Sequence, residues 1–333
     1  MQQTAAVDSS ADSLVFVDQA GNHHTLVPGH RGALRPGWRR MMHNEPRPPA
    51  TRESVLSELR ELASRVRLGG RLLEVFGCPI EGRRVLNVGC GCGEEVLYLA
   101  GRGASSVVGA DLVIPDDAVL DAESKGIWDG PAGDGSSLRC RLARAHLAEL
   151  GQLERVNLAD IRIVTDDIAV SAFDDGEFDL ICTWRTLEHL KRPEAALREM
   201  FRLLRPGGYA YHEYNPFFGI DGGHSPATLD LPWGHVRLGE ADVERYLERY
   251  RPDEKTRAMA FYRDELNRMT IGDLERMARA AGYEVLAIVP RARTEDMLEL
   301  TGEIYRQARG IYPQVEINDL VCRIVRVVLR RPE

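Results

Sequence analysis

The stretch VLNVGCGCGEE, from Val85 to Glu95, decides the fold of this chain. It predicts a buried strand that runs directly into a glycine-rich turn. Apolar residues at helical spacing follow up to Ala100, so a helix is expected after the turn. Strand, glycine turn and helix open a doubly wound α/β domain, in which a ligand lies against bare backbone and helix N-terminal amides. Taken alone, the G-x-G-x-G spacing also fits a turn that only closes an ordinary strand–helix unit.

The segments that follow favour a ligand-binding turn over a turn with only a structural role. Residues 107–112 form a second strand ending in Asp111, which lies 18 residues after Gly93. This is close to the ~20-residue spacing at which a carboxylate reaches ribose hydroxyls. Further strands are predicted at 161–164, within 173–183 and within 203–211, the last two after a turn, and then at 283–289 and 321–329. A single helix is expected over 294–309.

Six motifs in this order resemble the class I S-adenosylmethionine-dependent methyltransferases. They are VLNVGCGCGEE (85–95), VVGADL (107–112), TDDI (165–168), FDDGEFDLI (173–181), TLEHL (186–190) and LLRPGG (203–208). The resemblance covers the chain from about residue 52 onward, with two insertions. It implies a doubly wound α/β fold: a seven-stranded, mostly parallel sheet, helices on both faces, and an antiparallel last strand beside the fifth. It also implies S-adenosyl-L-methionine as cofactor and S-adenosyl-L-homocysteine as product.

The resemblance and the strand ends together assign residues to the cofactor. Asp111 is expected to accept from both ribose hydroxyls, because one carboxylate offers two acceptor oxygens. Asp167 and Ile168 match the pair at the adenine, with Asp166 as a rival because the register is uncertain by one residue. Thr183 is expected near the methionine part, and Cys90 and Cys92 are interpreted as small fillers of the turn. The complete predicted set is Gly89, Cys90, Gly91, Gly93, Asp111, Leu112, Asp166, Asp167, Ile168 and Thr183.

Composition narrows the class of protein. With 333 residues, 44% of them hydrophobic, the chain can form one sizeable core plus a cap, or two small domains. Its net charge of −8 shows no overall basic footprint for nucleic acid, although a local patch stays open. The six cysteines match no zinc spacing and are interpreted as reduced thiols of a cytoplasmic protein. No apolar run approaches the ~18 residues of a membrane span, and no secretory signal opens the sequence.

The chain divides into four predicted regions. Residues 1–50 are an extension with a small hairpin, and Trp38, Arg39, Arg40 and His43 make it either a lid over the cofactor or a solvated linker. Residues 51–216 form the cofactor-binding core, opened by a helix that Thr51 caps and that Gly69-Gly70 weakens. Residues 217–268 form a substrate cap, and residues 269–333 complete the core sheet. The insertion at 113–160, with a loop at 129–135 and a helix capped by Ser136, has no assigned function.

Methyl transfer from a sulfonium is an in-line displacement, so the protein mainly positions the acceptor. A base is needed only when the nucleophile holds its proton, and histidine suits that role near neutral pH. His212 and Glu213 alternate on a strand and face opposite ways, with Glu213 favoured as the inward one. His189 is also open to a structural or cofactor-side role. The candidate catalytic residues are His189, Glu213, His212, His224 and His235.

The segment that follows the fifth strand supplies the candidates for substrate contact. These are Tyr214, Asn215, Phe217 and Trp233. Phe217 and Trp233, together with Phe218, can equally serve only to seat the cap. A divalent ion held by His212 or Glu213 with His224 and His235 is an alternative, but the spacing matches no metal motif. Hydrogen-bonded histidines explain the segment better, so no metal is predicted.

The sequence therefore predicts a cytoplasmic methyltransferase acting on a small molecule, in specialised (natural-product) metabolism. One alternative is a protein or RNA methyltransferase whose cap is a docking surface, which requires a basic or exposed apolar patch around 217–266. A second is a non-catalytic cofactor-binding subunit. No nucleic-acid or membrane partner is expected. The acceptor atom and the oligomeric state, a homodimer included, stay open.

Overall fold

The computed structural model describes residues 15–34, 51–114, 138–222 and 228–333. These form two compact units. Unit 1 takes in the described residues of 1–46 and of 215–270, together with 291–323. Unit 2 takes in the described residues of 47–214, together with 271–290 and 324–333. Within the described ranges, no helix is long and apolar enough to cross a membrane.

The strands and helices are numbered along the described chain. The strands are β1 (Val15–Val17), β2 (His23–Thr25), β3 (Arg84–Val88), β4 (Ser106–Asp111), β5 (Ile161–Thr165), β6 (Phe178–Trp184), β7 (Leu204–Tyr214), β8 (Glu284–Ala292) and β9 (Cys322–Arg330). The helices are α1 (His30–Leu34), α2 (Arg52–Val75), α3 (Glu94–Gly101), α4 (Leu138–Glu149), α5 (Pro193–Leu203), α6 (Gly234–Arg237), α7 (Glu240–Tyr250), α8 (Lys255–Asp264), α9 (Ile271–Ala280), α10 (Thr294–Glu299), α11 (Gly302–Ile311) and α12 (Ile317–Val321).

A seven-stranded sheet in the order β5-β4-β3-β6-β7-β9-β8 carries the fold. The strand β3 lies between β4 and β6 and runs parallel to both. The chain leaves β3 for β4 on one side and later returns to β6 on the other. The carboxyl end of β3 is therefore the switch point where doubly wound sheets bind ligands. The last strand, β9, pairs antiparallel with β7. The predicted fold class and the place of the last strand are confirmed.

The long helix α2 contains two central glycines, and close packing on the sheet explains Gly69. Thr51 caps it, since the Ser54 amide donates to Thr51 Oγ1 at 3.1 Å. The helix continues through Gly69 and Gly70. A Cβ atom at Gly69 would lie 2.8 Å from Cε1 of Tyr211 on β7. Glycine therefore lets the helix pack closely on the sheet, at a cost of about 1 kcal/mol in intrinsic helix propensity.

Unit 1 has its own aromatic core. Phe217 and Trp233 are buried there with Phe16 of the β1–β2 hairpin and Ile304 of α11. The indole Nε1 of Trp233 donates to the carbonyl oxygen of Leu320 at 3.0 Å. Residues 291–323, which the sequence placed with the core sheet, group with unit 1 because α11 and α12 bury their apolar faces in this cluster.

Two local predictions need correction. The single helix expected over 294–309 is two helices, because the chain breaks at Leu300 and Thr301 caps the second by accepting from the Ile304 amide at 3.2 Å. The turn expected at 203–208 is part of β7, whose pairing with β6 shifts register between Phe178 and Leu180. The short helix α1 was not predicted. Several predicted features lie outside the described residues: Trp38, Arg39, Arg40, His43, the loop 129–135 and Ser136.

Candidate functional site

The turn after β3 places three glycines in the left-handed region. Gly89, Gly91 and Gly93 have φ values of +73°, +49° and +87°. A side chain at Gly89 would place Cβ only 2.2 Å from Thr186 Oγ1, whereas nothing lies within 4 Å of a Cβ at Gly91. Residues other than glycine rarely adopt this backbone conformation, and Gly89 is also closed to any side chain by packing. The turn is therefore held open as bare backbone, with α3 beginning at its end.

Asp111 ends β4 and is fixed against this turn. Its Oδ2 accepts from the Gly91 amide at 2.8 Å, and its Oδ1 accepts from the Val113 amide at 3.4 Å. Each carboxylate oxygen has two lone pairs, so both keep acceptor capacity. The side chain is half-buried, and two backbone amides orient it before any ligand arrives.

A pocket of about 280 Å³ opens at this end of the sheet. It draws its walls from the ends of β3, β4, β5 and β6 and the segments that follow them. The lining residues are Val88, Gly89, Ala110, Asp111, Leu112, Asp166, Asp167, Ile168, Arg185, Thr186, His189 and Leu190. Its volume is near the low end of the roughly 300–1,000 Å³ of small-molecule sites. Six of the ten residues predicted for the cofactor, and His189, therefore meet in one cavity.

The rival carboxylates after β5 differ in access. Asp166 Oδ2 accepts from the Ala172 amide at 3.2 Å, while its Oδ1 is shielded from solvent without a partner among the described residues. An atom closed to water is also closed to a ligand that fills the pocket. The Asp167 side chain is 42% exposed, and the Ala169 amide orients it at 2.9 Å. Arg192 Nη2 also lies 3.2 Å from its Oδ2.

The other predicted cofactor residues lie beside the pocket without lining it. Gly91 and Gly93 shape the turn. Burial, reinforced by the negative charge of Asp111, raises the pKa of the Cys90 thiol to about 12, so it stays protonated as a small filler. Thr183 is fully buried, and its Oγ1 lies 3.0 Å from Nδ1 of His212. The threonine that lines the cavity is Thr186, three residues later.

A second acid marks the start of α3. Burial, and to a smaller extent the adjacent Glu94 carboxylate, raise the pKa of Glu95 to about 7 against the opposing charge of Arg65. Arg65 Nη2 lies 3.9 Å from Glu95 Oε1, too far for a close pair. Glu95 therefore changes charge near neutral pH one residue beyond the helix start.

The catalytic candidates in unit 2 separate by exposure. His189 is half-buried and lines the pocket. His212 is fully buried, and desolvation lowers its pKa to about 3. Glu213 is buried on the opposite face of β7. Its Oε2 accepts from Arg326 Nε at 2.7 Å and lies 3.5 Å from the Tyr211 hydroxyl. The alternation predicted for residues 212 and 213 is present, but both side chains are held inside the protein.

The remaining candidates belong to the segment after β7. His224 lies outside the described residues. His235 is fully buried in unit 1, and its Nε2 lies 3.0 Å from the carbonyl oxygen of Phe217. Phe217 and Trp233 are core residues of unit 1 and are at most 1% exposed. Tyr214 is buried at the end of β7, and Asn215 donates to the Arg323 carbonyl oxygen at 3.0 Å.

Packing and hydrogen bonds to the backbone thus account for the positions of the residues proposed for substrate contact. Their direct contact with substrate stays a prediction. Across the described ranges, no group of three or more His, Cys, Asp or Glu side chains is arranged to hold a metal ion.

Sequence reasoning missed five lining residues. Val88 and Ala110 lie at or next to the ends of β3 and β4, and Arg185, Thr186 and Leu190 follow β6, the strand beside β3. The rule that ligands bind at strand ends could have indicated all five. Arg185 has a φ of +53°, its amide donates to the Glu213 carbonyl oxygen at 2.7 Å, and its Nη2 lies 2.7 Å from Glu61 Oε1. No sequence pattern signals such a backbone conformation in an arginine.

Comparisons with known proteins identify the family to which this chain belongs. A family profile described as "Methyltransferase domain" matches residues 56–288. The ubiquinone biosynthesis O-methyltransferase of Thiobacillus denitrificans is 31% identical over 133 residues, which are 40% of this chain and 44% of that protein. The enzyme of the same name from Alkalilimnicola ehrlichii is 31% identical over 130 residues, 39% of this chain and 40% of that protein. The chain thus spans less than half the length of these curated relatives.

A solved S-adenosylmethionine-dependent methyltransferase from Mesorhizobium loti aligns with 76% of this chain and 92% of its own, with 15% identity and a TM-score of 0.42. The family profile covers most of the chain. The chain therefore belongs to the methyltransferase-domain family, within the class I S-adenosylmethionine-dependent methyltransferases, and S-adenosyl-L-methionine is its cofactor. The family, fold class and cofactor predicted from the sequence are confirmed.

Proposed function

We propose that this protein transfers a methyl group from S-adenosylmethionine to an oxygen atom of a small molecule. One observation carries the proposal: the pocket at the end of β3 unites bare backbone at Gly89, the carboxylates of Asp111 and Asp167, and an accessible His189. When bound, the cofactor supplies an electrophilic methyl group. Placement of the acceptor is then the main task of the protein.

The residues present fit the nucleoside part of this cofactor. Asp111 has acceptor capacity for two vicinal hydroxyls and is already oriented by the Gly91 amide. Asp167 presents an exposed carboxylate to an exocyclic amine, beside the apolar side chain of Ile168. We therefore assign Asp111 to the ribose and Asp167, rather than Asp166, to the adenine.

His189 is the proposed proton acceptor when the acceptor atom is a hydroxyl oxygen. It is the unit 2 candidate that lines the pocket, whereas His212 and Glu213 are closed off by burial. A base whose pKa is as low as that of His212 is a poor match to chemistry near neutral pH. Positioned general bases typically contribute about 10²–10⁴-fold to rate.

Two observations support a small acceptor. The curated relatives described above act, by their names, in ubiquinone biosynthesis as O-methyltransferases. Residues 217–266 contain ten acidic and seven basic residues, so they are not a basic surface. In the described parts of that segment, no large apolar side chain is exposed. A protein- or RNA-docking cap would need one of those features. Specialised metabolism, a cytoplasmic location and the oligomeric state stay predictions.

Calorimetry with S-adenosylhomocysteine tests the cofactor assignment. Asp111→Ala should weaken binding at least tenfold, which is about 1.4 kcal/mol, because a two-point acceptor is lost. Asp167→Asn should weaken it more than Asp166→Asn. Asp160→Ala, which removes an exposed acid elsewhere in unit 2, is the matched control and should change affinity less than twofold. Equal affinity of wild type and Asp111→Ala would refute the ribose assignment.

The reaction is tested by measuring turnover with a panel of phenols and catechols, with the release of S-adenosylhomocysteine as the readout. His189→Gln should lower kcat by about 10²–10⁴-fold while the affinity for S-adenosylhomocysteine stays within threefold. Cofactor binding without turnover on any small acceptor would support the non-catalytic alternative. Unchanged kcat in His189→Gln would remove the proposed base but not the cofactor site.

A further inference from the structure

Unit 2 contains a second pocket, of about 210 Å³, on the helical face formed by α2, α3 and α4. It shares no lining residue with the cofactor pocket. Two fully or nearly fully buried polar side chains, Tyr98 of α3 and His146 of α4, form part of its floor. The proposed methyl transfer uses none of these residues.

The charge of this pocket is unusual for an acidic chain. Arg60 and Arg67 of α2 and Arg102, which follows α3, line it, and no described lining residue is a carboxylate. Arg60 and Arg67 are seven residues apart, so they project from one face about 10 Å apart along the axis. Arg102 is paired with Glu74 at 3.3 Å. Within the described chain, Arg60 and Arg67 have no ion pair, although the protein carries a net charge of −8.

The buried pair adds a neutral donor. Tyr98 Oη lies 2.6 Å from Nδ1 of His146. Burial, together with the charge of Glu94, raises the pKa of Tyr98, so its hydroxyl keeps its proton and donates to Nδ1. Burial also lowers the pKa of His146; Arg60 lowers it further, while Glu149 opposes them. A neutral imidazole that accepts at Nδ1 carries its proton on Nε2, which makes Nε2 a donor.

The side chains of Arg60, Arg67, Arg102, His146 and Gln152 therefore line one cavity whose described lining contains no acid, and Arg60 and Arg67 are the arginines there without an ion pair among the described residues. Arginine recognises carboxylate and phosphate oxygens with paired, charge-assisted hydrogen bonds. Ala63, Val66 and Leu150 add an apolar wall. We propose that this pocket is a second ligand site, separate from the cofactor site, that binds a small organic oxyanion, a phosphate monoester or a carboxylate.

Calorimetry on the full chain near pH 7 tests the proposal with three probes: inorganic phosphate, phenyl phosphate and benzoate. Phenyl phosphate should bind more tightly than inorganic phosphate, because its ring contacts the apolar wall. The comparison of phenyl phosphate with benzoate separates a phosphate from a carboxylate preference. Arg60→Gln/Arg67→Gln should weaken binding of the best probe at least tenfold, which is about 1.4 kcal/mol.

Matched variants distinguish binding at this pocket from a general effect of protein charge. Arg52→Gln/Arg198→Gln removes the same charge from exposed positions outside the pocket and should change probe affinity less than twofold. Ser64→Asp, which places a carboxylate in the pocket, should abolish binding, whereas Ser57→Asp on the same helix should not. All variants should bind S-adenosylhomocysteine like wild type, which shows that they are folded. The proposal fails if no probe binds below about 10 mM, or if the pocket and control variants bind a probe equally.

Discussion

Glu95 gives the sharpest prediction about stability. Its carboxyl group has a pKa of about 7 in the folded protein against a reference value of 4.5, mainly because it is buried. Between these two values the folded state holds a proton that the unfolded chain releases, so stability falls as pH rises through this window. A difference of 2.5 pKa units at about 1.4 kcal/mol each gives a maximum of about 3.5 kcal/mol.

The substitution Glu95→Gln removes this ionisation while keeping the size of the side chain. At pH 8 the variant should be more stable than wild type by about 3 kcal/mol. At pH 5, where the folded wild type keeps its proton, the advantage should shrink below about 1 kcal/mol. The side chain is 14% exposed, so solvent screening reduces the effect only modestly.

Denaturant unfolding at pH 5 and pH 8, followed by circular dichroism, measures the difference between variant and wild type. Glu53→Gln, an exposed acid on α2, controls for the loss of one negative charge, and its effect should not change between the two pH values. A stability difference for Glu95→Gln that is the same at both pH values would refute the reasoning. A variant less stable than wild type at pH 8 would refute it as well.

Two further predictions concern glycines. Gly89→Ala should weaken binding of S-adenosylhomocysteine at least tenfold, since its Cβ would meet Thr186 Oγ1 at 2.2 Å; Gly89→Ala/Thr186→Gly should recover part of the loss, and a failure to do so would contradict the steric cause. Gly69→Ala should lower stability by about 1–3 kcal/mol because the added methyl group meets Tyr211 at 2.8 Å. Gly310→Ala in α11, where nothing lies within 4 Å, should instead raise stability by about 0.5–1 kcal/mol, and thermal unfolding distinguishes the two signs.

The sheet was largely predictable because its signals are local. Buried strands such as Val85–Val88 are short apolar runs that end in glycine or acid, and the six motifs fixed their order. The capping of α2 by Thr51 followed from the same kind of signal. The break at Leu300 was missed because apolar spacing continues across it, and only the cap at Thr301 marks it.

The cofactor pocket was predictable to the level of strand ends, but the direction of individual side chains was not. Period two correctly put His212 and Glu213 on opposite faces. It did not indicate that both faces are covered, one by contact with Thr183 and the other by the ion pair with Arg326. Exposure depends on packing from distant parts of the chain, which a single sequence does not display. The same limit explains why the second pocket, which Arg60, Arg67 and Arg102 line, was not predicted.

The final strand has a consequence for how the protein is made. Strand β9, residues 322–330, is inserted between β7 and β8, so the sheet has a gap until these residues leave the ribosome. Unit 1 also cannot be completed before residues 291–323 are synthesised, since they belong to it. A nascent chain stalled before residue 322 would expose the unpaired edges of β7 and β8, and chaperone occupancy should peak at that length.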